Sequence, residues 1–248
     1  MEIRIGRANA IGDEFLKYQF LTPREFVQEE MVLPFKYDIS FTSDVVDTRG
    51  EASRYFAKNN SVTQKAIAYN HDSLQMVIDG KKVDLIDFLS REDVFLAQSI
   101  LFDATNLSFA ELAIVMRLAI STNAVKRVSF IYVEPLKYSM KVWSPTEFRG
   151  VDLSKKIHDV DFIPTFYQRT LSSHKNYLLA FLGFEDVRLA KALDPDSGAN
   201  FETVSAVFSV PPFQVGWETH ALMANSRILK EQKLEEAFFV AGNQPYDA

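Results

Sequence analysis

One stretch, residues 99–135, constrains the fold of this 248-residue chain more than any other. It opens with a short apolar run, Ile100 to Phe102, closed by Asp103, the pattern of a strand buried on both faces of a parallel sheet. Ser108 followed three residues later by Glu111 makes a capping box, in which a hydroxyl and a carboxylate satisfy the free amides of a helix start. Leu112, Val115, Met116, Ala119 and Ile120 then recur at helical spacing, and Val128 to Val133 returns as a second apolar strand. Together these make one β-α-β unit, whose crossover must be right-handed and whose strands must then run parallel.

The rest of the chain is read around that unit. Lys36 to Ser43 alternates polar and apolar and predicts a strand, with Asp44 to Gly50 as its exit loop and Glu51 to Lys58 as a short helix. Leu74 to Ile78 and Lys81 to Leu85 flank an Asp79-Gly80 pair, which predicts a hairpin with a type I′ turn. Ahead of these, Glu14–Phe20 and Pro23–Met31 read as short helices. Beyond Pro135 the pattern dissolves until Tyr177 to Leu182, a buried strand, followed by Gly183-Phe-Glu-Asp-Val-Arg188 and a helix to about Leu193. Residues 136–173 read as a long excursion with one short strand near Phe162, and loops of that length inside a compact domain are usually functional or mobile. Val204 to Val210 is a further strand stopped by Pro211-Pro212, Trp217 to Glu235 a helix, and Phe238 to Ala241 a last short strand. Strands alternating with helices predict an α/β fold, a Rossmann-like, mostly parallel sheet with helices on both faces and an N-terminal β-hairpin extension. The expectation is a single domain over residues 1–248, with residues 1–98 carrying the hairpin and 99–248 the main βα repeat.

Composition narrows the chemistry. The chain has no cysteine, which removes disulfides, thiolate nucleophiles and cysteine-ligated metals. A net charge of −6 makes broad, non-specific nucleic-acid binding an unfavourable reading. No apolar run is long enough to cross a membrane and no secretory leader opens the chain, so the expectation is a cytoplasmic protein without a membrane partner. There is no Gly-x-Ser-x-Gly elbow, P-loop or Gly-x-Gly-x-x-Gly fingerprint, and the four histidines are scattered.

Ligands of open α/β sheets sit outside the carboxyl ends of the strands, so the residues there are the candidates. They are Asp103, Thr105 and Asn106 after one strand, Glu134 after the next, and Gly183, Glu185 and Arg188 after a third. Asp103 and Asn106 also suit turn formation, because their side chains bond nearby amides. Asp103 with Glu134 and one of Glu185 or Asp186 would suit Mg²⁺, for phosphoester hydrolysis. Asp47 and Arg49 follow the early strand, and residues 41–49 echo residues 181–188 in placing a strand, an acidic loop and an arginine before a helix. Tyr132, Tyr138 and Trp143 suit either base stacking or the roof of a core.

The segment Phe102-Asp-Ala-Thr-Asn-Leu-Ser-Phe-Ala-Glu111, about 35 residues with its flanking strands, resembles the central motif of the CRISPR-associated Rossmann-fold sensor (CARF) domains of prokaryotic defence systems. Ser40, Thr42 and Ser43 stand where that family often has a small polar loop. The resemblance implies a ligand cleft for cyclic oligoadenylates across a homodimer, with Thr105 and Asn106 facing the ligand and Asp103 organising the turn. The functional expectation is a ligand-binding or regulatory protein with a nucleotide-like or protein partner, in bacterial antiviral defence. Its alternatives are a Mg²⁺-dependent phosphoesterase or nuclease, and a structural subunit of a complex. No cofactor is indicated, catalysis is not favoured, and a homodimer or complex subunit fits the reading.

Overall fold

The computed structural model describes residues 2–6, 17–22, 32–90, 96–121, 124–133, 163, 166, 176–194, 201–212, 215–231 and 234–240. In chain order the elements are β1 Glu2–Gly6, β2 Lys17–Thr22, β3 Tyr37–Thr42, α1 Thr48–Asn59, β4 Ser61–Asn70, β5 Gln75–Ile78, β6 Lys81–Asp84, α2 Leu85–Leu89, β7 Ser99–Asp103, α3 Phe109–Ser121, β8 Arg127–Ile131, β9 Tyr177–Phe181, α4 Val187–Ala192, β10 Thr203–Ser209, α5 Trp217–Glu231 and β11 Leu234–Val240. The class is α/β. The chain read as one domain gathers into two compact units, Met1–Pro135 and Leu136–Ala248, each with its own sheet.

In the first unit the strand order is β2-β1-β8-β7-β3-β4-β5-β6. The centre, β8-β7-β3-β4, is parallel, with Ile100 of β7 opposite both Ile39 of β3 and Val128 of β8. The edges are antiparallel. The β7-α3-β8 unit forms as its sequence predicts, and so does the hairpin, whose turn residues Asp79 and Gly80 both take positive φ (49° and 81°) as a type I′ turn requires. The chain leaves β3 through α1 toward β4, but leaves β7 through α3 toward β8, on the opposite side. Two crossovers of one hand running in opposite directions place their helices on opposite faces.

Side-chain alternation agrees with that arrangement. Phe41, Phe102 and Phe130 sit laterally on three adjacent strands, their rings stacked at 5.8 and 5.4 Å. On the other face Leu101 packs with Tyr37 and with Phe56 and Ala57 of α1. Helix α3 buries Ile114, Val115, Leu118 and Ala119, a stripe rotated from the predicted one, so that Leu112, Met116 and Ile120 stand at its margins. Its capping box is present: Ser108 N–H donates to Glu111 Oε2 at 2.7 Å, and Glu111 N–H to Ser108 Oγ at 3.3 Å.

Two expectations are corrected here. Residues 17–22, the first four of which fall in the predicted Glu14–Phe20 helix, form strand β2, paired antiparallel to β1. The ten-residue β4, which the sequence reading passes over, carries Gln64 and Lys65 at its middle, and Ile67 is its one buried large apolar side chain. A strand so polar lacks a clean alternation and is held instead by its neighbours. The predicted Pro23–Met31 helix and the strand near Phe162 lie outside the described residues.

The second unit holds a three-stranded parallel sheet in the order β11-β10-β9. Here both crossovers run in the same direction, so α4 and α5 share one face and pack on each other. Helix α5 ends at Glu231 and β11 starts at Leu234, so the predicted helix is shorter and the last strand longer than the sequence suggests. Among the described residues no helix is long and apolar enough to cross a membrane.

Candidate functional site

The reversal of strand order between β3 and β7 makes the carboxyl ends of these two strands the switch point of the sheet, where a crevice opens in folds of this kind. Asp103 ends β7 there and is fully buried. Its Oδ1 accepts from the amides of Thr105 (3.2 Å) and Asn106 (3.3 Å), and its Oδ2 from Thr42 Oγ1 (2.8 Å) and Asn106 Nδ2 (2.7 Å). Asn106 Nδ2 also lies 2.8 Å from the carbonyl oxygen of Gly50 and 3.2 Å from Ser53 Oγ, and its Oδ1 accepts from Val46 N–H at 3.4 Å. Both residues therefore form an internal lock joining the exits of β3 and β7 to the first turn of α1. Thr105 lies at the rim, half-buried, with its hydroxyl accepting from Val133 N–H at 2.9 Å. Glu134 lies outside the described residues.

Glu111 extends the lock. Besides capping α3, its Oε1 accepts from Tyr69 N–H of β4 at 3.0 Å and from Ser43 Oγ at 3.5 Å. One carboxylate thus fastens α3 to both β4 and the β3 exit. Buried polar groups carry a large penalty unless paired, and the pairing at this end of the sheet makes it rigid.

Above this buried layer stands an exposed one. Asp47 caps α1, its Oδ1 accepting from Arg49 N–H at 2.9 Å, and Arg49 grips the same carboxylate through Nε (3.0 Å) and Nη2 (2.8 Å). That grip holds the Asp47 carboxyl below its ordinary 3.8 and raises the Arg49 guanidinium further, with the Tyr132 phenol beside it contributing. Because the folded value is the depressed one, the stabilisation is complete above the ordinary carboxylate value and is lost as pH falls from there through the lowered folded value. Tyr132 is 57% exposed, so it roofs no core, and Val46 (74%) and Phe109 (79%) are also open. Arg49, Tyr132, Thr105 and Phe109 all lie at the carboxyl end of the parallel strands, the edge at which a ligand is expected from the sequence.

In the second unit, Gly183, Glu185 and Arg188 line a cavity of about 500 Å³ with Leu189 and Asn225. Arg188 Nε pairs with Glu185 Oε2 at 3.2 Å, so the internal carboxylate is the partner present. The sequence echo therefore has a geometric counterpart: in each unit an arginine in the first helical turn pairs with a carboxylate just before the helix. Asp186 stands at the N-cap position of α4 but makes no capping bond through its side chain. The six-residue α4 offers no extended amide cradle. The Arg188 side chain is 67% exposed, and exposed pairs contribute about 0–1 kcal/mol. Arg188→Ala is accordingly expected to leave the urea midpoint nearly unchanged, while a loss well above that range would mark it as a structural anchor.

Asp103 and Asn106 are marked by their local sequence, but Gly50 and Ser53, which receive Asn106, are not, because nothing local marks a contact spanning more than 50 positions. Among the described residues no three histidine or acidic side chains gather as a metal site. No protein-family model matches the chain, and neither a curated protein nor a solved structure matches it.

Proposed function

We propose that the first unit is a ligand-binding, regulatory module that takes a nucleotide-like molecule at the β3/β7 switch point, as the CARF-like segment implies. The observation carrying this reading is the pairing of an open aromatic, Tyr132, with a fixed guanidinium, Arg49, over a rigid polar floor at that edge. An aromatic face stacks a base, and a guanidinium meets a phosphate oxygen. Asp47 already compensates much of the Arg49 charge, and the sequence carries no glycine-rich phosphate-binding motif, so the favoured ligand carries few phosphates rather than a polyphosphate chain. A nucleoside monophosphate or an oligoadenylate, linear or cyclic, fits better than a triphosphate.

The Mg²⁺-dependent phosphoesterase reading is less well supported, because the Asp103 oxygens it needs are occupied by four donors. The interaction-subunit reading has one observation in its favour. Tyr177, Leu179 and Phe181 alternate along β9 and are 53–67% exposed among the described residues, an apolar row that suits a protein partner.

Thermal-shift and calorimetric titrations with AMP, ATP, adenosine, linear and cyclic oligoadenylates and inorganic phosphate test the proposal. A ligand at about 100 times its Kd should stabilise the protein by roughly 2.7 kcal/mol. Arg49→Ala and Tyr132→Ala should each weaken binding about tenfold, consistent with ~1–3 kcal/mol for a stacked base. The reading fails if none of these molecules shifts the melting curve, or if binding survives both substitutions unchanged.

A further inference from the structure

We propose that the cavity between α5 and the sheet of the second unit binds an uncharged, polycyclic aromatic small molecule. The cavity measures about 590 Å³, within the range of small-molecule sites and roomy enough for several rings. Gly183 and Phe184, which follow β9, and Val210, which follows β10, bring it to the carboxyl ends of these parallel strands. Ligands of such sheets bind at that edge. Its walls are open to solvent: Phe239 is 66% exposed, Leu222 49% and Val210 44%. Large apolar side chains left in water together mark a binding surface, and a concave one suits a small molecule.

Two aromatic pairs line the cavity and indicate the ligand's class. On the sheet wall Phe208 and Phe239, from neighbouring strands, stack with ring centroids 5.7 Å apart. Where the β9 exit meets the start of α5, Phe184 meets Trp217 edge-on at 5.4 Å. Stacked and edge-on rings attract one another beyond the area they bury, so fused aromatic rings suit these walls. The polar groups nearby are already engaged. Leu182 N–H donates to Val207 O at 3.0 Å, Val210 N–H to Val240 O at 2.8 Å, and Asn225 Nδ2 to Gly183 O at 2.9 Å. Glu218 Oε2 is shielded from water and is therefore out of a ligand's reach as well. A charged molecule entering such a cavity surrenders hydration that these walls do not replace, whereas an uncharged one gives up little.

Two dyes that brighten in apolar surroundings make a matched test. N-phenyl-1-naphthylamine is uncharged, and 8-anilinonaphthalene-1-sulfonate is the same skeleton carrying one negative charge. Full-length protein with Trp143→Phe, which leaves Trp217 as the sole tryptophan, is titrated with each. The uncharged dye is expected to bind once per chain and to quench Trp217 by energy transfer. It should bind at least about tenfold more tightly than the sulfonate, a difference equivalent to ~1.4 kcal/mol. Ala221→Phe, which adds a ring to the cavity from α5 and is checked for native circular dichroism, should weaken the uncharged dye at least about tenfold. The proposal is overturned if the sulfonate binds as tightly, if Trp217 emission does not change, or if folded Ala221→Phe binds like its parent. Several dye molecules per chain would also overturn it, marking a diffuse apolar face suited to a protein partner. The ranking of the two dyes and the Trp217 response decide the matter even if Ala221→Phe does not fold.

Discussion

Gly50→Ala is expected to destabilise the first unit by roughly 3 kcal/mol, combining overpacking with the loss of a buried hydrogen bond. The sign is opposite to the general rule, since an alanine inside a helix normally stabilises by about 0.5–1 kcal/mol over glycine. Gly50 lies in the first turn of α1 and is buried. A Cβ there would overlap Asn106 Oδ1 and come within 2.9 Å of Asn106 Cγ. Asn106 has no room to yield, because its amide is already fixed on Asp103 Oδ2, Gly50 O and Ser53 Oγ. The melting temperature should fall by on the order of 10 °C. A double-mutant cycle separates this mechanism from ordinary helix effects. Asn106→Ala alone should cost about 2–3 kcal/mol through its orphaned partners, and adding Gly50→Ala should then cost little more or even recover some stability. Strict additivity of the two would mean that the close approach of Gly50 to Asn106 is not the cause.

The contacts behind that prediction also show what a sequence can and cannot reveal. Signals confined to a few residues are legible. Ser108 with Glu111 announces a capping box, Asp79-Gly80 announces its turn, and Ile100 to Phe102 announces a buried strand, because each pattern is complete within a handful of positions. Asp103 and Asn106 are legible as turn formers for the same reason. The larger part of their role lies at long range, in Thr42, Gly50 and Ser53, which no periodicity links to them. Glu111 is a clear case: its local bond to Ser108 can be read directly, whereas its bond to Tyr69 N–H depends on β4, the strand whose polar sequence conceals it. The phase of α3 shifts for a related reason. Leu112, Met116 and Ile120 satisfy helical spacing as well as the buried stripe does, and only the sheet decides which stripe turns inward.

Asp103→Ala should be the most damaging single polar substitution in the first unit, costing about 3–5 kcal/mol. The carboxylate is wholly buried and holds four donors from three residues, with no cation among these partners. Truncation leaves the Thr105 and Asn106 amides, the Thr42 hydroxyl and the Asn106 amide nitrogen turned toward a void too small to hydrate all of them. Asp103→Asn provides the control for shape. Its oxygen can keep the two backbone amides, and its nitrogen can donate to Thr42 Oγ1, but it then faces the Asn106 Nδ2 group donor to donor. About half of the alanine penalty should therefore remain, roughly 2 kcal/mol. Chemical denaturation of both variants, with unchanged m-values, measures the ordering. If asparagine proves as harmful as alanine, the negative charge is what holds the lock. If both variants melt like the parent, the network contributes nothing and the floor of the proposed ligand site is not rigid. The ordering expected here, alanine well below asparagine and asparagine below aspartate, would identify the buried carboxylate as the element that fixes the exits of β3 and β7 and so positions Arg49 and Tyr132 above them.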